Sequence, residues 1–199
     1  MKKTITLILL SFSIIIFYLF FDKEIAYFFH THITGKTKHI IKLISNFGKA
    51  EYYLIPSFIV FLIYRNKNLF IKKASLLVFY SVIISGILVN IIKVIVARYR
   101  PPALFKENLY GFHGFDIGFL VNSFPSGHTT TAFSGFVALA LVMPKYKYIF
   151  ILLAIIIALT RIMLSVHYVS DIIAGAMLGT LTTYFLYKKM FKDENEKKL

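Results

Sequence analysis

The 199 residues contain no cysteine, no tryptophan, and only nine acidic residues against 23 lysines and arginines. Without cysteine there is no disulfide, no thiol nucleophile and no cysteine metal site. Without tryptophan, the 13 Tyr and 21 Phe must supply any aromatic belt at a membrane interface. The shortage of acid leaves a formal charge of +14. In a soluble domain that imbalance points to nucleic acid. Here the cations flank long apolar runs, where they lie beside anionic headgroups and fix topology, so no nucleic-acid partner is expected.

Apolar residues are abundant. The chain is 58% hydrophobic with a mean hydropathy of +0.72, against about 45–50% apolar in soluble domains. A bilayer is the natural solvent for such a chain. Its length suits one compact bundle, residues 1–199, with the chemistry-bearing core at about 74–187 and a charged tail at 188–199. The predicted fold is an all-α, membrane-embedded bundle of about six transmembrane helices with short interfacial helices.

The six predicted spans are each near the ~20 residues needed to cross a ~30 Å hydrocarbon core. They run at about Thr4–Phe21, Ala50–Tyr64, Ala74–Val96, Pro125–Met143, Tyr148–Ser165 and His167–Tyr187. The first reads as an uncleaved signal anchor, because Phe20, Phe21, Asp22 and Lys23 are poor neighbours for a cleavage site. Between Asp22 and Lys49, apolar residues at near-helical spacing predict one or two amphipathic helices lying in the interface. The tail Lys188–Leu199 is expected to fray. Lys2, Lys3, the Arg65–Lys73 loop, the Lys145–Lys147 turn and the tail share one side, which the positive-inside rule makes cytoplasmic. Lys36, Lys38, Lys42 and Lys49 fall on the other side with the polar stretch Ala97–Phe124 and the turn near Val166.

Three polar clusters interrupt the apolar pattern, and all map to that outer side. The first holds Lys93, Arg98, Arg100 and Pro101. Lys93 sits inside or at the edge of a span, where an ionisable group is expensive. Lys93 and Arg100 are two helical turns apart and share a face if the helix persists, although Pro101 disfavours helix at Arg100. Two such cations suit a phosphate, and guanidinium adds bidentate hydrogen bonds. The alternative is that Lys93 snorkels while Arg98 and Arg100 anchor headgroups.

The second cluster, Ser123–Phe124–Pro125–Ser126–Gly127–His128, runs into a span. A helix N-terminus there presents free N–H groups and a positive dipole end to an anion. Gly127 permits close approach, and Ser126 is placed to cap or donate. The third is Arg161, His167 and Asp171. His167 and Asp171 are i and i+4, which predicts one face of the sixth helix. A carboxylate at that spacing holds one imidazole nitrogen protonated and frees the other to attack. The alternative is a structural ion pair between Arg161 and Asp171 with His167 incidental.

Phosphoryl transfer explains the combination, because it needs charge neutralised on the equatorial oxygens and an in-line nucleophile. Lys93, Arg100, Arg161 and the backbone at Ser126–Gly127 suit the first task. His167 suits the second, with His128 as the acid for the leaving alkoxide. No metal or other cofactor is expected. His30 and His32 make a weak ligand pattern without a carboxylate framework.

These motifs resemble the type 2 phosphatidic acid phosphatase (PAP2) superfamily, which also includes vanadium haloperoxidases. The family pattern K-x6-R-P, P-S-G-H and S-R-x5-H-x3-D is matched by KVIVARYRP at Lys93–Pro101, PSGH at Pro125–His128 and TRIMLSVHYVSD at Thr160–Asp171. Thr160 replaces the usual Ser, and Val169 stands where the family often has Pro. The resemblance implies a metal-independent membrane phosphatase of the bacterial lipid phosphatase branch, working through a phosphohistidine. Its implied site has His167, His128 and Asp171 as catalytic residues, and Lys93, Arg100, Ser126, Gly127 and Arg161 as phosphate-binding residues. Implied partners are the bilayer and a lipid phosphate: phosphatidic acid, phosphatidylglycerol phosphate, undecaprenyl pyrophosphate or lipid A. The implied location is a bacterial cytoplasmic membrane, with the site facing outward and both termini inside. A phosphotransferase passing phosphate to another acceptor fits the same motifs. An anion-binding transporter would be expected to show paired repeats with broken helices, which the sequence lacks. The aromatics Phe105, Tyr110, Phe112, Phe115 and Phe119 are expected to shape an entrance for an acyl or prenyl chain.

Overall fold

The computed structural model describes residues 2–192 and is helical throughout its ordered elements. Among the described residues nine α-helices follow in chain order: α1 Lys2–Ile16, α2 Asp22–His32, α3 Gly35–Asn46, α4 Glu51–Tyr64, α5 Leu69–Val96, α6 Pro101–Glu107, α7 Gly127–Val142, α8 Lys147–Met163 and α9 Val169–Met190. Among the described residues, four helical stretches are long and apolar enough to cross a membrane: Ile5–His32, Leu69–Val96, Pro144–Met163 and Val169–Met190. Four of the six expected spans correspond to these stretches, and the other two fall on the shorter helices α4 and α7, of 14 and 16 residues.

Two boundaries differ from expectation for identifiable reasons. The first span does not stop at Phe21. A π-helical turn, Phe17–Phe21, carries it directly into α2, so the stretch after Asp22 is a continuation and not a helix lying flat. Only α3 stands apart as a separate short amphipathic helix, burying Ile41 and Ser45. Helix α5 begins at Leu69, five residues before the apolar run, because the Asn68 side chain accepts a hydrogen bond from Ile71 N–H at 3.0 Å. At the C-terminus α9 continues through Lys188 to Met190, and Phe191 is buried in a cluster with Tyr53, Leu77, Val78, Val82 and Ala138. The rest of the charged tail lies outside the described residues.

Helix α7 is the hub, packing against α5, α8 and α9. Its contact with α9 is close because α9 carries Gly175 and Gly179, a small-xxx-small pair at one helical turn. A Cβ on Gly175 would come within 2.7 Å of the Ser126 carbonyl oxygen, and one on Gly179 within 2.5 Å of the Thr130 carbonyl oxygen. Both obstacles are backbone and cannot swing aside. Gly179→Ala is therefore expected to push α9 off α7 and lower the apparent unfolding temperature in detergent by several degrees, an overpacking cost of about 1–3 kcal/mol. Unchanged melting would mean that the two helices tolerate wider spacing.

The helix ends sort into two groups. The C-terminal end of α5, the N-terminal ends of α7 and α9, and Asp22 at the start of α2 meet at one end of the bundle through Arg98, Ser123 and Asp171. The start of α1 and the end of α9 therefore lie toward the opposite end, with the α4–α5 and α7–α8 turns.

Candidate active site

Helix α5 ends at Val96, earlier than Pro101 alone would require, because Ala97 adopts a left-handed conformation (φ 37°). Lys93 and Arg100 are consequently not on one continuous helix. They are brought together another way: Lys93 Nζ and Arg100 Nη2 both donate to the carbonyl oxygen of Asn122, at 2.5 and 3.0 Å. The Arg100 guanidinium also lies 4.3 Å from the Phe119 ring centroid. A Cβ on Gly127 would stand 3.8 Å from Lys93 Cε, an ordinary packing distance, which places the Lys93 side chain against the start of α7. Two cations thus converge beside the first turn of α7, whose N–H groups have no intrahelical carbonyl partners.

Ser126 behaves differently from its expected role. Its N–H donates to the Asp171 carbonyl oxygen at 3.0 Å, and its hydroxyl accepts from Thr129 Oγ1 at 3.0 Å. Ser126 is completely buried. It ties α7 to α9, and the amides left facing an anion begin at Gly127.

His167 and Asp171 meet, but not on one helix. Tyr168 is extended (φ −87°, ψ 167°) and α9 starts at Val169, so His167 precedes the helix. Its Nδ1 lies 3.5 Å from Asp171 Oδ2 and 3.5 Å from Ser123 Oγ. Contacts of this length are common at catalytic groups before substrate binds. With Nδ1 turned to the carboxylate, Nε2 is the nitrogen left to attack. Burial holds the His167 imidazole well below its ordinary pKa, a tendency partly offset by the Asp171 hydrogen bond. The ring is thereby favoured in the neutral form, which keeps a lone pair on one nitrogen.

Asp171 is the most heavily used group. Its Oδ2 accepts from Ser123 Oγ at 2.6 Å and from Tyr168 N–H at 2.9 Å, and its Oδ1 accepts from Arg98 Nη1 at 2.5 Å. Asp171 therefore caps α9 while facing His167. The ion pair weighed for Arg161 belongs instead to Arg98, which is fully buried and bridges Asp171 to Asp22 Oδ2 at 2.8 Å. Tyr18, Tyr110, Phe112 and Tyr168 surround the guanidinium with ring centroids at 4.4–5.6 Å. Burial opposes its charge, but Asp171 and Asp22 more than compensate and raise its pKa above the usual value. Arg98 is thus no headgroup anchor. Ser170 joins the same network, donating its N–H to Asp22 Oδ1 at 3.1 Å and its hydroxyl to Asp22 Oδ2.

Arg161, near the end of α8, donates to Ser45 Oγ of α3 at 2.6 Å. Arg161 and His128 line a cavity of about 630 Å³ together with residues of α2, α3 and α6. Of the five aromatics expected at an entrance, only Phe105 lines this cavity. Tyr110 and Phe112 enclose Arg98, Phe119 covers Arg100, and Phe115 is exposed. Sequence reasoning missed Asp22, Ser45, Asn122 and Ser170. Asp22 carried a signal, an acid at the end of an apolar run, but read as the boundary of a span.

Comparison with known proteins shows the family. The PAP2 superfamily profile matches residues 74–195. The chain is 31% identical over 179 residues to a lipid A 1-phosphatase of Rhizobium johnstonii, covering 84% of this chain and 72% of that protein. It is 35% identical over 147 residues to a lipid A 1-phosphatase of Rhizobium etli, covering 71% and 61% respectively. Among solved structures it resembles Aquifex aeolicus LpxE, with a TM-score of 0.66 at 23% identity, covering 84% of this chain and 94% of that one. On the match of the profile to more than half its length, the chain belongs to the PAP2 superfamily.

Proposed function

We propose that this chain hydrolyses the phosphate of a membrane lipid, a lipid A-type sugar phosphate foremost, through a phosphohistidine on His167. A membrane lipid phosphatase is what its family and its relatives make it. The observation that carries the mechanism is Asp171, a carboxylate held by Arg98, Ser123 and the Tyr168 amide while it faces His167 Nδ1.

In this reading Lys93, Arg100, Arg161 and the first-turn amides of α7 neutralise the phosphoryl oxygens. His167 Nε2 attacks phosphorus, the bond from phosphorus to the lipid oxygen breaks, and His128 gives that oxygen its proton. Asp171 stabilises the imidazolium that forms. Water then attacks phosphorus, His128 takes the water's proton, the bond to His167 breaks, and inorganic phosphate leaves. No step calls on a metal ion. The preference for lipid A rests on the two relatives of that name. The positive residues at the end opposite the site support cytoplasmic termini and a site facing outward from a bacterial cytoplasmic membrane.

The test is phosphate release by the purified protein in detergent containing EDTA, offered lipid A, phosphatidic acid, phosphatidylglycerol phosphate and undecaprenyl pyrophosphate. Release from lipid A that survives the chelator is expected. Activity restored only by added divalent cation would overturn the mechanism, and release from every lipid except lipid A would overturn the substrate preference.

A further inference from the structure

The cavity that Arg161 and His128 line is also lined by residues of α3 and α6 that the mechanism does not use. Lys38, Lys42 and Ser45 are spaced four and three residues apart, so they form one stripe along that helix. Ser45 is the residue to which Arg161 donates. At 1.5 Å of rise per residue, Lys42 stands about 4.5 Å and Lys38 about 10 Å along the axis from Ser45. Lys106, at the end of α6, lines the same cavity, as do His30 and Phe105, whose rings stack at 4.0 Å.

Lys38, Lys42 and Lys106 are exposed, and no carboxylate lines the cavity among the described residues. None of the three lysines is paired with an acid among those residues. The volume falls within the range of ordinary ligand pockets, about 300–1,000 Å³. A purely membrane-adsorbing set of lysines would need only a convex surface. These three close around a concavity that ends on two residues of the reaction site.

We propose that this cavity is a subsite for a second anionic group on the substrate headgroup, held by Lys38, Lys42 and Lys106 while the reacting phosphate lies below against Arg161. The substrate class is then a lipid with two phosphates, and the second either sits at a distance across the headgroup or is joined directly to the first. The inference rests on the lipid phosphatase reading.

The experiment compares wild type with Lys38→Gln/Lys42→Gln and with Lys106→Gln, in neutral detergent micelles at fixed ionic strength. Substrates are lipid A phosphorylated on both sugars, the same lipid lacking the distal phosphate, and undecaprenyl pyrophosphate. Loss of charge-assisted hydrogen bonds is expected to raise KM about 10-fold for the doubly phosphorylated lipid with kcat kept, and to change the singly phosphorylated one less than about twofold. Lys38→Arg/Lys42→Arg, which keeps both charges, should keep the wild-type KM. The same selective rise seen with undecaprenyl pyrophosphate instead would identify the second anion as the adjoining phosphate. Equal rises for all substrates that grow with the anionic lipid content of the micelle would overturn the subsite in favour of general surface binding. Unchanged KM throughout would also overturn it. Wild type that releases phosphate from none of these lipids would instead sink the phosphatase reading, and the subsite with it.

Discussion

His167→Ala is expected to lower lipid phosphate release by ~10⁴-fold or more, the scale seen when a covalent nucleophile is removed. The loss should fall on kcat, because the proposed mechanism leaves phosphate binding to Lys93, Arg100 and Arg161. Removing His128 has a different signature. His128→Ala should cost about 10²–10⁴-fold with a lipid alkoxide as leaving group, the usual worth of a general acid. It should cost much less with an aryl phosphate, whose leaving oxygen needs no proton to depart. His167→Ala should show no such rescue. A radiolabelled phosphate trapped on the wild-type protein by rapid alkaline denaturation, lost in acid and absent from His167→Ala, would complete the case. Label retained in the variant would remove His167 from the role of nucleophile.

Arg98→Met is expected to destabilise the protein strongly while leaving every proposed phosphate-binding residue in place. It strands Asp22 and Asp171 in a fully buried setting, and breaking one partner of a buried ion pair costs about 3–5 kcal/mol. For a chain of this size that corresponds to a fall of about 10 °C in apparent unfolding temperature, read at fixed heating rate in detergent. Arg98→Lys should not rescue it. A single ammonium cannot reproduce the planar fork that gives Nη1 to Asp171 and Nη2 to Asp22. Adding Asp22→Asn to Arg98→Met should recover part of the stability by removing one stranded charge, but not the activity, because Asp171 still lacks its partner. Full activity in Arg98→Met would mean that Ser123 and the Tyr168 amide suffice to orient Asp171.

The sequence made the charged part of the site legible for a physical reason. Lys93, Arg161 and Asp171 interrupt runs in which any ionisable group is costly, so their presence called for an explanation. The convergence of three motifs on one side followed from counting spans. Geometry inside the site was less legible. The expectation that Lys93 and Arg100 share a helical face assumed a regular helix, and one left-handed residue, Ala97, replaced it with a turn. The expectation that His167 and Asp171 share a face met extended backbone at Tyr168, yet the two still approach because Asp171 folds back to cap its own helix. Asp22 was hidden because a π-helical turn has no sequence signature that a 3.6-residue period detects. The close packing of α9 on α7 was written in Gly175 and Gly179 but is silent without knowing which helix faces them.

Two of the groups that complete the site, Asp22 and Ser45, lie outside residues 74–195, the part that matches the family profile. The segment that looks self-sufficient by homology is therefore short of one counter-ion and one hydroxyl. A chimaera grafting residues 74–195 onto the leading helices of another membrane protein would inherit every motif and still leave Arg98 and Arg161 facing the wrong neighbours. Interchange between relatives should succeed only when the donor of the leading helices brings an acid to the level of Arg98 and a hydroxyl to the level of Arg161. The segment from Asp22 to Ser45 is thus built into the surroundings of Arg98 and Arg161 and is not a detachable anchor.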